Sequence, residues 1–159
     1  MNILFYLTPK SEVAYLYDTD TLRQALEKME YHRYTAIPII GREDGRYLGT
    51  LTEGDLLRSI KSEKDMSLLL TEDISIMLLP RSRDNEPAEV KADMEDLIGK
   101  AMNQNFVPVT DDDGRFIGLI TRKDIIKYLD RKLTVCQTLA ETQTVTNLEL
   151  ENRMRIRNV

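Results

Sequence analysis

Two threonine–aspartate pairs are the residues of this chain best suited to binding chemistry. Thr52 and Asp55 stand in Thr-Glu-Gly-Asp, and Thr121 and Asp124 in Thr-Arg-Lys-Asp. At this spacing a hydroxyl sits at the cap of a helix and a carboxylate lies one turn inside it. A carboxylate so placed can accept both hydroxyls of a ribose. The same spacing also describes a capping box, which only stabilises a helix start. Arg122 and Lys123 fill the second pair and put positive charge on a first helical turn. Backbone N–H groups already favour anions there, so a phosphate would suit them. Glu53 and Gly54 hold the corresponding positions in the first pair, and an acidic first turn repels phosphate. The two sites are therefore expected to be unequal.

Other reactive side chains give weaker patterns. His32 lies at the end of a helical pattern with no acid–base partner fixed near it. Cys136 is the one cysteine, so neither an internal disulfide nor a cysteine–histidine metal cluster can be built. Asp111–Asp113 lacks the spaced ligands and terminal glutamate of a calcium loop and reads as a turn. No nucleophile–base pair, metal-ligand cluster or phosphate-binding loop is present in the sequence, so catalysis is not expected.

The pairs sit inside a longer duplication. Gly45, Arg46, Gly49, Thr52 and Asp55 match Gly114, Arg115, Gly118, Thr121 and Asp124 at a constant offset of 69. Each copy reads as turn, buried strand and helix. In the second copy the helix has Ile125, Ile126 and Leu129 as its apolar face. Two copies with so long a period imply two units packed on each other rather than an array.

Upstream, Val13–Tyr17 reads as a strand. Thr21 and Gln24 form a capping box for a helix with Leu22, Ala25, Leu26 and Met29 on one face, ending near Tyr31–Arg33. Thr35–Ile40 is the next strand, and Pro38 within it argues for a sheet edge or a bulge. Tyr47–Leu51 and Glu53–Ile60 complete the first copy. Asp93 caps the matching helix of the second copy, with Met94, Leu97, Ile98 and Ala101 on its face. Phe106–Thr110 matches Ala36–Ile40, and Asn85–Lys91 is a weaker first strand. The offset drifts from 72 to 70 to 69, so the second copy is two residues shorter between helix and strand and one shorter in the turn.

These boundaries give a first repeat at 1–60, a linker at 61–73, a second repeat at 74–131 and a C-terminal helix or tail at 132–159. Met66 and Leu68–Leu70 suggest a short docking helix in the linker, and Ile74–Leu79 is apolar enough to pack on the domain. A half of this size is marginal alone, and pairing lets both sheets bury their apolar faces in one core.

The net charge of −5 argues against unspecific nucleic-acid binding, despite Arg153, Arg155 and Arg157 near the end. No apolar run is long enough to span a bilayer, and the first residues do not read as a signal peptide. A cytoplasmic protein is expected.

Ala36-Ile-Pro-Ile-Ile followed by Gly49-Thr-Leu-Thr-Glu-Gly-Asp-Leu-Leu, and Phe106-Val-Pro-Val-Thr followed by Gly118-Leu-Ile-Thr-Arg-Lys-Asp-Ile-Ile, resemble the cystathionine-β-synthase (CBS) domain pair over roughly residues 5–130. The resemblance implies an α+β fold of tandem repeats, each β-α-β-β-α, packed as a pseudo-twofold pair. It implies a regulatory module with no catalysis and no required cofactor. The clefts between repeats would bind AMP, ADP, ATP or S-adenosylmethionine, and the module would act on an effector protein through conformation or as a homodimer. An empty scaffold that serves oligomerisation is the alternative.

By the same resemblance, Thr121 and Asp124 hold ribose and the nearby phosphate. Ile37-Pro38 and Val107-Pro108 precede the strand that offers backbone groups and apolar walls to adenine. Thr35 and Phe106, with Tyr34 and Asn105, flank these positions in the clefts. The site of Thr52 and Asp55 should prefer adenosine, S-adenosylmethionine or nothing.

Overall fold

The computed structural model describes residues 2–62 and 72–138. The first repeat contains β1 (Thr8–Pro9), β2 (Leu16–Tyr17), α1 (Leu22–His32), β3 (Ala36–Ile40), β4 (Tyr47–Thr52) and α2 (Glu53–Ser62). The second contains β5 (Ala88–Glu89), α3 (Met94–Ala101), β6 (Phe106–Thr110) and β7 (Phe116–Thr121). A fourth helix, α4, covers residues 122–138. The chain divides into two compact units, Met1–Arg122 and Lys123–Val159. The first holds both sheets and α1–α3. Among the described residues, the second is α4 alone.

Local chemistry sets the helix ends. Thr21 and Gln24 cap α1 reciprocally: the Thr21 N–H donates to Gln24 Oε1 at 2.9 Å. Arg33 stops the helix in the left-handed region at φ 53°, and the Tyr34 N–H turns back to the Met29 carbonyl at 3.0 Å. Leu22, Ala25 and Met29 are buried on the inner face. In α3 the Asp93 N–H donates to the Asp96 carboxylate at 3.1 Å, and Met94, Leu97 and Ala101 are buried. On α4 the buried side chains are Ile125 and Tyr128, three residues apart, whereas Ile126 is 57% exposed. The face expected there was Ile125, Ile126 and Leu129. Adjacent residues on a helix point about 100° apart, so Ile126 turns away from Ile125.

The first sheet runs β2-β3-β4 and the second β1-β7-β6-β5. β2 is parallel to β3 and β5 to β6, a hairpin pairs β3 with β4 or β6 with β7, and β1 adds antiparallel to β7. The two hairpins then bond to each other reciprocally. The Tyr47 N–H donates to the Gly114 carbonyl at 3.1 Å, and the Phe116 N–H to the Gly45 carbonyl at 2.9 Å. The duplicated positions meet there about a pseudo-twofold axis. Val13, Ile40, Phe106, Phe116 and Leu119 fill the seam, with Tyr47 stacked on Phe116. This shared core is the burial that a single half could not supply.

Two short hooks cross between the repeats. Asn2 caps a 3-10 turn at Ile3–Tyr6, and Ser75 caps another at Ile76–Leu78; Ile3 and Ile76 are fully buried. Ser75 bridges to Thr21, and Asn2 bridges to Asp93. Each hook therefore docks on the repeat that does not follow it. Ile76 and Leu79, grouped by sequence with the second repeat, pack in the core of the first beside Leu16, Leu22 and Leu51. The residues Met66 and Leu68–Leu70 of the linker, and 139–159 of the tail with its three arginines, lie outside the described residues.

Pro38 stands in the middle strand of its sheet rather than at an edge, and the irregularity falls one residue later, between Ile39 and Ile40. The reason is local. Thr50, opposite Pro38, sends its N–H away from β3 to the Asp84 carboxylate at 2.9 Å. The imide nitrogen thus faces the side where β2, paired only with Ile39 and Ile40, does not reach. No ladder bond is lost. The strand Val13–Tyr17 shortens to Leu16–Tyr17, because a 3-10 turn at Lys10–Glu12 precedes it and Val13 enters the seam.

Gly118 and Gly49 make a test of these crossings. A Cβ on Gly118 would lie 2.3 Å from the Thr8 carbonyl oxygen, which is backbone. A Cβ on Gly49 would lie 2.4 Å from an Asp84 carboxylate oxygen, which a side-chain rotation can move. Gly118→Ala should lower stability by about 2–3 kcal/mol, and Gly49→Ala by about 1 kcal/mol. Urea unfolding of the two variants measures the difference.

Candidate ligand clefts

The pseudo-twofold creates two equivalent positions beside the ends of β4 and β7. One is open. A cleft of about 280 Å³ is lined by Thr8, Val13, Arg33, Tyr34, Thr35, Ala36, Pro38, Asn105, Phe106, Leu119 and Thr121. Its walls are composite. The loop after α1 and the strand β3 come from the first repeat; Asn105, Phe106, Leu119 and Thr121 come from the second. Val13, Ala36, Pro38, Phe106 and Leu119 give it apolar surface. Thr8, Thr35 and Thr121 bring hydroxyls, and Arg33 brings a guanidinium at the left-handed end of α1. No carboxylate is among these lining residues. Such a lining suits a flat apolar ring with a polar, anionic extension.

Of the residues expected to hold a ligand, Thr35, Pro38, Phe106 and Thr121 meet in this cleft, with Tyr34 and Asn105 beside them. Ile37 and Val107 are fully buried core, and Pro108 is buried in β6 opposite Leu119. Strand geometry turns Ile37 away from Pro38 and Val107 away from Phe106, because neighbours along β3 and β6 point to opposite faces; Pro108 shares the face of Phe106 but is not among the residues that line the cleft. Arg122 turns toward its own chain. Its Nε donates to the Gln104 carbonyl at 3.2 Å and its backbone N–H to the Asn105 carbonyl at 2.9 Å. Lys123 is exposed on α4, and Asp124 accepts from Lys127 at 3.4 Å on the same helix.

The equivalent position beside Thr52 is closed by the chain itself. Asp55 is fully buried. One of its oxygens accepts from the Thr52 N–H at 3.0 Å and the Thr52 hydroxyl at 2.6 Å. The other accepts from the Ser82 N–H at 3.0 Å, the Ser82 hydroxyl at 2.7 Å and Arg58 at 2.6 Å. The Asp55 N–H returns to the Thr52 hydroxyl at 3.2 Å, completing a capping box. Burial alone would raise the Asp55 pKa. The hydrogen bonds from Thr52, Ser82 and Arg58 outweigh that and hold the carboxyl well below the usual carboxylate range.

The segment carrying Ser82 continues the closure. Asp84 accepts from the Thr50 N–H, and Arg81 donates to the same carboxylate at 2.9 Å. The Tyr47 hydroxyl donates to the Asn85 carbonyl at 2.8 Å and accepts from Thr50 at 2.7 Å, and burial pushes its pKa upward. Asn85 donates to the Phe106 carbonyl at 3.0 Å. Gln104 donates to the carbonyls of Glu86 and Phe106 and accepts from the Glu86 N–H. Thr52 and Asp55, expected to face a ligand, are thus engaged by residues of their own chain. The two positions differ through this segment, whereas the inequality expected from sequence concerned the charge of Glu53.

The sequence pattern did not single out Arg33, Thr8 and Val13 on the open side, nor Arg58, Ser82, Asp84, Asn85 and Gln104 on the closed one. The one available signal was the polar run Arg81-Ser-Arg-Asp-Asn ahead of the second repeat's first strand. His32 is exposed at the end of α1, its ring beside Tyr31 and Tyr34. Asp111 caps its own turn by accepting from the Asp113 and Arg115 N–H groups. Cys136 is exposed. Among the described residues no group of three or more histidine, cysteine or acidic side chains could hold a metal, and no helix is long and apolar enough to cross a membrane.

The family model of the CBS domain matches residues 6–62 and 83–131. A solved CBS domain protein from Streptococcus pneumoniae TIGR4 is 27% identical, with a TM-score of 0.71 over 82% of this chain and 87% of that one. CbpB in complex with c-di-AMP is 24% identical, with a TM-score of 0.73 over 87% and 90%. CBSX2 in complex with AMP is 19% identical, with a TM-score of 0.61 over 82% and 96%. The chain spans about half the length, or less, of the curated relatives it matches first. An uncharacterized protein of Methanocaldococcus jannaschii, for example, is 22% identical over 80% of this chain and 49% of its own length.

Proposed function

This chain belongs to the CBS domain family, and from that premise we propose that it is a regulatory module whose open cleft takes one adenine nucleotide. The observation that carries this reading is the cleft at Thr121: apolar walls, hydroxyls and a guanidinium in about 280 Å³. That volume is near the lower end of ligand pockets, about 300–1,000 Å³, and suits one nucleotide better than two. The complexes of CbpB with c-di-AMP and of CBSX2 with AMP support an adenine ligand.

Phe106 and Pro38 wall the base, and the backbone at Thr35 offers it polar groups. Thr121 binds the ribose. Asp124, three residues on, is assigned to the ribose hydroxyls from that spacing. Arg33 meets the phosphate, with Lys123 adding positive charge. Arg122 is left mainly a positioning role, because its Nε is given to Gln104. The module acts on an effector protein, as a homodimer in the cytoplasm, by changing shape when the cleft fills.

A thermal-shift series with AMP, ADP, ATP, S-adenosylmethionine and c-di-AMP tests the reading. AMP at about 100 times its Kd should add about 2.7 kcal/mol of stability, a rise of roughly 8 °C in Tm. No stabilisation by any of the five would leave the scaffold reading in its place.

A further inference from the structure

We infer that Arg33 sets the charge class of the ligand, favouring a 5′-phosphorylated adenosine over uncharged adenosine and over the sulfonium of S-adenosylmethionine, and that it stands in a strained backbone position for that purpose. The inference rests on the reading of the open cleft as an adenosine site. Among the described residues Arg33 is the one non-glycine at positive φ, with φ 53° and ψ 42°. The others, Gly45, Gly49, Gly114 and Gly118, are all glycines. The turn itself needs this conformation. The Arg33 N–H donates to the Glu30 carbonyl at 3.2 Å and the Tyr34 N–H to the Met29 carbonyl at 3.0 Å, which closes the end of α1. It does not need an arginine. A Cβ crowds the following carbonyl oxygen in the left-handed region, so glycine is the usual residue at such a helix end. A strained residue on the wall of a cleft points to a role for its side chain.

That side chain is exposed and lines the cleft. Among the described residues no hydrogen bond or ion pair holds its guanidinium. Arg23, Arg58, Arg81 and Arg115, by contrast, donate to carboxylates of their own chain, and Arg122 to a carbonyl. The second repeat has no equivalent of this turn. It is shorter between helix and strand, and Met102 after α3 is right-handed at φ −61°. The strain is therefore confined to the repeat whose helix end borders the open cleft. A guanidinium there attracts a phosphate and repels the sulfonium and ammonium groups of S-adenosylmethionine.

The experiment is calorimetric titration of AMP, adenosine and S-adenosylmethionine into the wild type, Arg33→Gly and Arg33→Gln, with a melting curve on each. Both variants should raise the Kd of AMP about tenfold, the low end for a charge-assisted hydrogen bond, and leave that of adenosine unchanged. The Kd of S-adenosylmethionine should fall about threefold in both, because an exposed charge repels weakly. Arg33→Gly should melt about 2 °C higher than the wild type, and Arg33→Gln, which keeps the Cβ, at the wild-type temperature. Variants that bind AMP as the wild type does, or that lose AMP and adenosine equally, overturn the selection by charge while the cleft reading stands. An Arg33→Gly chain that melts no higher than wild type overturns the strain. A wild type that binds none of the three compounds overturns the cleft reading and the selection with it.

Discussion

Asp55→Ala should lower the melting temperature by roughly 9 °C, about 3 kcal/mol. The substitution removes a fully buried carboxylate that accepts from two backbone N–H groups, Thr52 and Ser82, and from two hydroxyls. A buried donor left without a partner costs about 1–3 kcal/mol, whereas the ion pair to Arg58 contributes little because Arg58 is 57% exposed. The loss therefore comes from stranded N–H groups rather than from a broken salt bridge. The same bonds carry a pH dependence. The folded-state pKa of Asp55 is depressed, so its stabilisation is fully present above the unfolded pKa, about 3.9, and is lost as pH falls from there toward the folded value. Urea midpoints at pH 7 and pH 3 should fall further for the wild type than for Asp55→Asn.

Asp124→Ala should do the opposite: weaken AMP binding about 100-fold with a smaller change in melting temperature. On the proposed assignment, two charge-assisted hydrogen bonds to ribose hydroxyls, at about 1.5–3 kcal/mol each, would set a loss of about 3 kcal/mol, and 1.4 kcal/mol is tenfold in Kd. Asp55→Ala should leave the Kd of AMP unchanged. Calorimetry on both variants separates two aspartates that the repeat makes equivalent. An Asp124→Ala chain that binds AMP as tightly as wild type removes that residue from the site.

The repeat shows how much of this could be read from residues alone. Capping at Thr21 and Gln24, the alternation through Ala36–Ile40 and Phe106–Thr110, and the paired glycines all act within a few residues. They fixed element order and the pseudo-twofold pairing. What stayed hidden depends on crossings. The hooks at Ile3 and Ile76 dock on the opposite repeat, so local pattern assigns Ile76 to the wrong core. The open cleft joins Tyr34 and Thr35 to Phe106 and Thr121, residues about 70 to 90 positions apart. The segment 82–85 is four polar residues with no periodicity, and nothing in their spacing tells a solvated loop from one that closes over Asp55. Thr52–Asp55 and Thr121–Asp124 share one motif. Only the path of the chain past Ser82 makes the first a closed capping network.

The most direct measurement is a crystal structure of the chain grown with AMP. A nucleotide is expected in the cleft of Tyr34, Thr35, Phe106 and Thr121, its base against Phe106 and its phosphate toward Arg33, with Ser82 still bonded to Asp55. A nucleotide lying instead against Thr52 with the Thr121 cleft empty, or no nucleotide in either, would contradict it.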